Sequence, residues 1–250
     1  IFSIVWKNRE KVFHTVEKPG LVNKGNTPKI VGCIGSERLF RRCARQVPPD
    51  CDMLEVRLDL TGLCGGGWLA LCRAIWNQGR PVLLTIRHAR EGGAWRGSEE
   101  DRFALYKEGL GVAAAVDVEI GSGILKDLAS AARRRHVQVV GSFHDFNGTP
   151  TQAQLRAVER RGRRLGADVV KVAAMVNTSA DLARLLAMPA DAKGPICVLG
   201  MGSLGMVSRV ALPCAGSCLA YGALVAATAP GQLSCRQLAK ELDRWGVRKA

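Results

Sequence analysis

The chain has 250 residues, 47% of them hydrophobic, and a formal net charge of +14. That is enough apolar material for one large core or two small ones, while the most apolar stretch, Leu219 to Ala229, is too short to cross a bilayer. The nine cysteines form no CxxC pair and no Cys/His spacing of zinc type, which argues against a metal site and for reduced thiols in a cytoplasmic setting.

Residues 1–28 carry scattered charges without the apolar core of a signal peptide, and read as an N-terminal extension to a domain over 29–250. The first strand spans Ile30–Ile34. In the second, Met53–Leu60, strand alternation puts Glu55, Arg57 and Asp59 on one face and Leu54, Val56, Leu58 and Leu60 on the other. Gly65-Gly66-Gly67 lacks the spacing and strand–turn–helix context of a nucleotide loop, so no nucleotide cofactor is implied. A third run, Val82–Arg87, ends one face in Arg87, and a fourth, Ala115–Ile120, sets Asp117 and Glu119 on one face against three β-branched residues. The fifth, Val137–His144, places His144 on the face of Ser142.

The clearest helix follows, with Thr149 as N-cap, Pro150 in its first turn, Gln152 completing a capping box, Leu155, Val158 and Leu165 as the buried stripe, and Gly166 as the stop. Next comes Asp168–Met175, where Lys171 shares a face with Val169, Ala173 and Met175. Ile196–Met201 is a seventh strand and an eighth lies near Cys218–Ala223.

One amphipathic strand with a wet face is ordinary. Five that bury charge, separated by helical segments, fit a closed (β/α)8 barrel, whose polar faces point inward and whose active site lies at the C-terminal ends of the strands. Arg87 and His144 fall at strand ends, while Glu55 and Lys171 lie deeper. Glu55, Arg57 and Asp59 also read as a mutually paired interior network, and for Asp59, Asp117 and Glu119 the purely structural role is favoured. Asp145, alternating with His144, faces away.

A lysine buried among arginines is expected to have its pKa lowered by desolvation and like charge, which makes the amine a nucleophile able to form a Schiff base with a ketone. The iminium acidifies the adjacent carbon, and His144 is placed to take that proton. His14, His88 and His136 have weaker claims, His136 as a surface residue in an arginine run and His88 as a loop residue beside Arg87.

These residues carry a resemblance. Glu55-Val56-Arg57-Leu58-Asp59, Thr85-Ile86-Arg87 with Glu91-Gly92-Gly93, Asp117-Val118-Glu119, Ser142-Phe143-His144-Asp145-Phe146, Gly166-Ala167-Asp168 leading to Lys171, Met201-Gly202 with Gly205 and Ser208-Arg209, and Ala229-Pro230-Gly231-Gln232 stand in the order found in type I 3-dehydroquinate dehydratases, the Schiff-base-forming enzymes of the shikimate pathway. The chain resembles that family from residue 29 to about 240. The resemblance implies a cofactor-free lyase in which Lys171 forms an imine with 3-dehydroquinate, His144 is the general acid and base, and Glu91 tunes His144. It implies that Glu55, Arg57 and Arg87 hold ring hydroxyls and balance charge, that Arg209 binds the substrate carboxylate, and that Met201, with Leu199, lines the pocket. Gln232 would reach the substrate from a lid. Where the family usually has serine before Ala-Pro-Gly-Gln, this chain has Thr228; the hydroxyl is kept for carboxylate binding and the extra methyl alters the fit of the lid. The family is often dimeric, so the small-molecule substrate is joined by a second copy of the chain as an implied partner.

Two rival readings stand beside this one. A Schiff-base aldolase acting on a phosphorylated sugar would want a phosphate nest near the last two strands, where this sequence offers Arg209 and the 229–232 segment. A catalytically silent basic barrel would bind nucleic acid through its arginine clusters, but aromatics are 5% of the chain and do not interleave with them. The charge is read instead as attracting small anionic substrates.

Overall fold

A computed structural model describes residues 27–63, 65–225 and 233–248. Eight parallel strands run β1 Lys29–Ile34, β2 Met53–Arg57, β3 Val82–Thr85, β4 Ala115–Glu119, β5 Gln138–Asp145, β6 Val169–Met175, β7 Ile196–Met201 and β8 Leu219–Gly222. Each pairs with its sequence neighbour and β8 returns to β1, giving the order β7-β6-β5-β4-β3-β2-β1-β8. No ladder joins β7 to β8 among the described residues; a few bonds do, with Cys218 N–H donating to Ile196 O at 2.8 Å, Val198 N–H to Ser217 Oγ at 2.9 Å and Cys197 Sγ–H to Leu219 O at 3.6 Å. The result is a nearly closed (β/α)8 barrel.

The helices that cover it are α1 Glu37–Arg45, α2 Leu58–Thr61, α3 Gly67–Asn77, α4 Glu99–Gly109, α5 Leu125–Arg133, α6 Gln152–Arg164, α7 Ser179–Asp191, α8 Ser208–Cys214 and α9 Cys235–Arg244. Among the described residues no helix is long and apolar enough to cross a membrane.

Strand alternation sorts the side chains into two environments. Leu54, Val56, Val82, Leu84, Val116, Val118, Val170, Val172 and Val198 point outward into a continuous core beneath the helices. Inside, a separate apolar cluster takes a residue from every strand: Val31, Met53, Leu83, Ala115, Val140, Val169, Cys197 and Leu219, with Tyr221. It plugs the base of the barrel. Two residues further along the strands stand Cys33, Glu55, Thr85, Asp117, Ser142, Lys171 and Leu199. Two more steps reach Arg57, Arg87, Glu119, His144, Ala173 and Met201. The dry plug therefore carries a polar layer, and the mouth lies above that.

The structure corrects three expected boundaries. The second strand ends at Arg57 instead of Leu60: Leu58–Thr61 winds into α2, closed by Gly62 in the left-handed conformation, so Leu58 is buried but Leu60 is 42% exposed. β3 ends at Thr85, so Arg87 stands just beyond it. The helix predicted from Thr149 begins two residues later, with Thr151 as N-cap and Gln154 closing the capping box. Both threonines have glutamine three residues on, but the Thr149 hydroxyl is engaged elsewhere, donating to Met175 O at 2.7 Å. Gly166, at φ +98°, takes the left-handed turn that returns the chain to β6, as a glycine stop allows.

Candidate active site

A cavity of about 260 Å³ opens above the polar layer. Lys171, on β6, lies in its floor and is 5% exposed. Its Nζ donates to Asp117 Oδ2 at 3.0 Å and stands 3.8 Å from Glu55 Oε1. Burial and the Arg87 charge pull the amine down, but Asp117 and Glu55 outweigh them and the net shift is upward. This overturns the expectation of a lowered pKa: the lysine is an ammonium held by carboxylates from two other strands, with open space above it.

Asp117 anchors the layer. Burial favours its neutral form, but Arg87 and Lys171 hold the carboxyl far below the ordinary range. Arg87 Nη2 donates to Asp117 Oδ1 at 2.7 Å, Arg87 Nη1 donates to Ser142 Oγ at 2.6 Å, and Ser142 Oγ donates to the same carboxylate oxygen at 2.6 Å. Glu119 completes the set at 3.2 Å from Arg87 and 2.6 Å from Arg102, a fully buried arginine on α4. Arg57 donates twice to Asp59 at 3.0 and 2.8 Å, and the Glu55 charge also acts on it, though no hydrogen bond joins Glu55 to Arg57 among the described residues.

His144 rises from the end of β5 beside the cavity. Its Nδ1 lies 2.9 Å from Glu91 Oε2, which also accepts the His144 backbone N–H at 3.0 Å. Burial, with Arg87 and Lys171 nearby, pushes the imidazole pKa well down, and burial raises the Glu91 carboxyl to about 7. The imidazole is thus neutral. A hydrogen bond from Nδ1–H to ionised Glu91 fixes the tautomer that leaves an Nε2 lone pair without a partner among the described residues.

Glu91 reaches this position because His88–Gly93 folds back on β3: the turn Ala89–Glu91 is capped by the His88 side chain, and Gly93 N–H donates to His88 O. A side chain at Gly93 would meet Arg87 O at 2.0 Å, so only glycine permits the close approach. Phe146 stacks on His144 with ring centroids 6.3 Å apart and also lines the cavity.

Arg209, at the start of α8, faces the cavity with no hydrogen bond or ion pair among the described residues, and burial lowers its pKa. An arginine in that state is a ready partner for a carboxylate. Met201 and Leu199 supply an apolar wall.

A family model described as type I 3-dehydroquinase matches residues 36–247. The chain belongs to the type I 3-dehydroquinase family. It is 33% identical over 222 residues to the 3-dehydroquinate dehydratase of Methanocella arvoryzae, a match covering 88% of this chain and 98% of that protein. The 3-dehydroquinate dehydratase of Enterococcus faecalis is 33% identical over 247 residues, covering 91% and 96%. Among solved structures, a type I 3-dehydroquinate dehydratase from Clostridium difficile with covalently modified comenic acid superposes with a TM-score of 0.82 at 28% identity, covering 90% of this chain and 94% of that one. The family is one of hydro-lyases.

Of the residues that the sequence marked for this family's chemistry, Lys171, His144, Glu91, Glu55, Arg57, Arg87, Met201 and Arg209 line the one cavity. Thr228 and Gln232 lie outside the described residues, as does His14. His136 is exposed, and His88 serves its local turn. Asp145 accepts the Asn147 and Gly148 N–H groups in the turn after β5, away from the cavity. Sequence reasoning gave no site role to Cys33, Phe146, Ala173 and Tyr221, which also line it, or to Ser142, which binds Arg87. Tyr221 fell inside the expected eighth strand, and its face could be assigned only once the register with Val31 was known.

Proposed function

We propose that this chain dehydrates 3-dehydroquinate to 3-dehydroshikimate through a Schiff base on Lys171, with His144 as general base and then general acid. The observation that carries the reading is the convergence of a buried lysine, a neutral histidine tuned by Glu91 and an unpaired Arg209 on one cavity.

The Arg209 guanidinium receives the substrate carboxylate and sets the ring over Lys171. The ammonium gives up a proton to solvent before attack, and that proton is regained by the hydroxyl departing as the iminium forms; Asp117, at 3.0 Å, stays ionised beside the nitrogen. The amine adds to the C3 ketone, and loss of one water leaves an iminium whose positive charge faces Asp117 and Glu55 again. That charge draws electrons from the C2–H bond, and His144 Nε2 takes the proton to leave an enamine. The enamine electrons expel the C1 hydroxyl, which departs as water with the proton that His144 returns. Water then hydrolyses the conjugated iminium, releasing the product ketone and the lysine. The balance is one water lost, and no electrons leave the substrate, so the chemistry calls for no redox cofactor.

Glu55, Arg57 and Arg87 serve by binding and by charge: Arg87 keeps Asp117 ionised, and Glu55, fixed by the Thr85 hydroxyl at 2.9 Å, presents a carboxylate to the ring hydroxyls. Thr228 and Gln232 belong to the same proposal as the lid that meets the carboxylate. A homodimer in the cytoplasm is the setting we propose, the former on the resemblance alone and the latter supported by eight described cysteines that are all free.

The test is a paired assay. In wild type, 3-dehydroquinate is expected to give the conjugated product, followed by its ultraviolet absorbance. In His144→Ala, turnover should fall about 10²–10⁴-fold, the usual worth of a general acid–base group, while borohydride still traps substrate on the protein. Wild-type turnover in that variant would remove His144 from the mechanism.

A further inference from the structure

Tyr221 ends the inner face of β8 and presents its ring to the Lys171 nitrogen, with Nζ 4.4 Å from the ring centroid. We propose that Tyr221 is a positioning residue whose aromatic face holds the positive charge on that nitrogen, first as ammonium and then as iminium. The inference rests on the Schiff-base reading for its second half.

The contact lies well inside the distance, roughly 6 Å, at which a ring face attracts a cation. It is desolvated on both sides: Tyr221 is 8% exposed and Lys171 5%. The ring also differs in kind from the other partners of the amine. Asp117 and Glu55 balance the charge as carboxylates. The ring carries no formal charge and attracts the cation through the negative face of its π-system, without an ion pair. It favours the iminium equally, because formation of the C=N bond keeps the charge on the same nitrogen. Asp117 is shared with Arg87 and Ser142, so the ring contributes an attraction that those groups do not divert.

The hydroxyl has no part in this. Tyr221 Oη is buried with no hydrogen-bond partner among the described residues, and burial holds the phenol neutral by raising its pKa. An orphaned hydroxyl weakens a core, and phenylalanine would supply the same face without it.

The experiment follows Lys171 in the substrate-free protein by acetylation with acetic anhydride across a pH series, read by peptide mass spectrometry. Tyr221→Phe should leave the pH midpoint and kcat within about twofold of wild type. Tyr221→Leu should lower the midpoint by about one unit. Phenylalanines carrying two or three ring fluorines, incorporated at 221, keep the shape while draining the ring face, and the midpoint should step down with each fluorine. That series answers the question even if Tyr221→Leu fails to fold. A midpoint indifferent to fluorination would reduce the ring to packing. A loss in Tyr221→Phe as large as in Tyr221→Leu would assign the effect to the hydroxyl and overturn the proposal. Acetylation needs no substrate, so a missing borohydride adduct would sink the Schiff base while leaving this result to stand or fall separately.

Discussion

Glu91 Oε2 is joined to His144 through both Nδ1 and the backbone N–H, and burial pushes the Glu91 carboxyl up to about 7. Above pH 7 the ionised carboxylate accepts Nδ1–H and the cavity-facing nitrogen keeps its lone pair. Below it, an added proton makes Glu91 the donor, the ring proton moves to Nε2, and the base is lost. We therefore expect kcat/KM to fall as the pH drops, with a midpoint near 7, in a pH profile of the wild type. In Glu91→Gln that limb should disappear. An unchanged limb would mean that another group titrates. At this scale the sequence was partly legible. Alternation alone put Lys171 on an inward face, because the period of a strand is local. Its protonation state was not legible, because Asp117 precedes it by 54 residues and meets it only through two intervening pairings, β4 with β5 and β5 with β6. Burial without a partner lowers a lysine's pKa; the partner reversed the sign.

Among the elements, α4 fastens two strand ends beneath the mouth. The Tyr106 hydroxyl accepts Ile86 N–H at 3.0 Å and donates to Asp117 O at 2.6 Å, so one side chain ties the end of β3 to β4. Arg102, one turn earlier, bridges Glu119 and Ile86 O. Tyr106→Phe leaves a buried N–H and a buried carbonyl short of a partner and is expected to cost about 1–3 kcal/mol, measured by urea unfolding. A loss under ~0.5 kcal/mol would show that the strand ends do not rely on it. Strand cores were readable from apolar runs, and Ile196–Met201 was read to the residue. Strand ends were harder, since a polar residue after a run looks the same in a strand and in a turn. Leu60 illustrates this: its spacing fits a strand face, yet Gly62 at φ +71° closes a helical turn there instead. Thr149 was read as the cap, yet Thr151 takes that role while the Thr149 hydroxyl donates to Met175 O.

Across the whole molecule the charge is divided. Arg57, Arg87, Arg209 and Lys171 face the cavity, whereas Arg133, Arg134, Arg160, Arg161 and Arg164 are exposed on α5, α6 and the turn after α5. The first group can attract an anionic substrate at close range. The second, on the outer helices, adds to self-repulsion at a net charge of +14. Added salt screens that repulsion within about 10 Å at 0.1 M. Tm is expected to rise by ~2–4 °C between low and physiological ionic strength, the shift that about 1 kcal/mol makes in a chain of this size; differential scanning calorimetry measures it. A falling Tm would mean that surface ion pairs outweigh the repulsion. The barrel itself was legible at this scale, because seven strand runs and the helices between them leave few closed architectures. The Ala229–Gln232 segment was legible only as a motif, and residues 226–232 lie outside the described residues. The proposed mechanism turns on one bond, between Lys171 Nζ and a substrate carbon. Borohydride added with 3-dehydroquinate should fix that bond, and peptide mass spectrometry should find the reduced adduct on Lys171 and no adduct in Lys171→Met. A folded, active protein with no adduct on Lys171 would contradict the account.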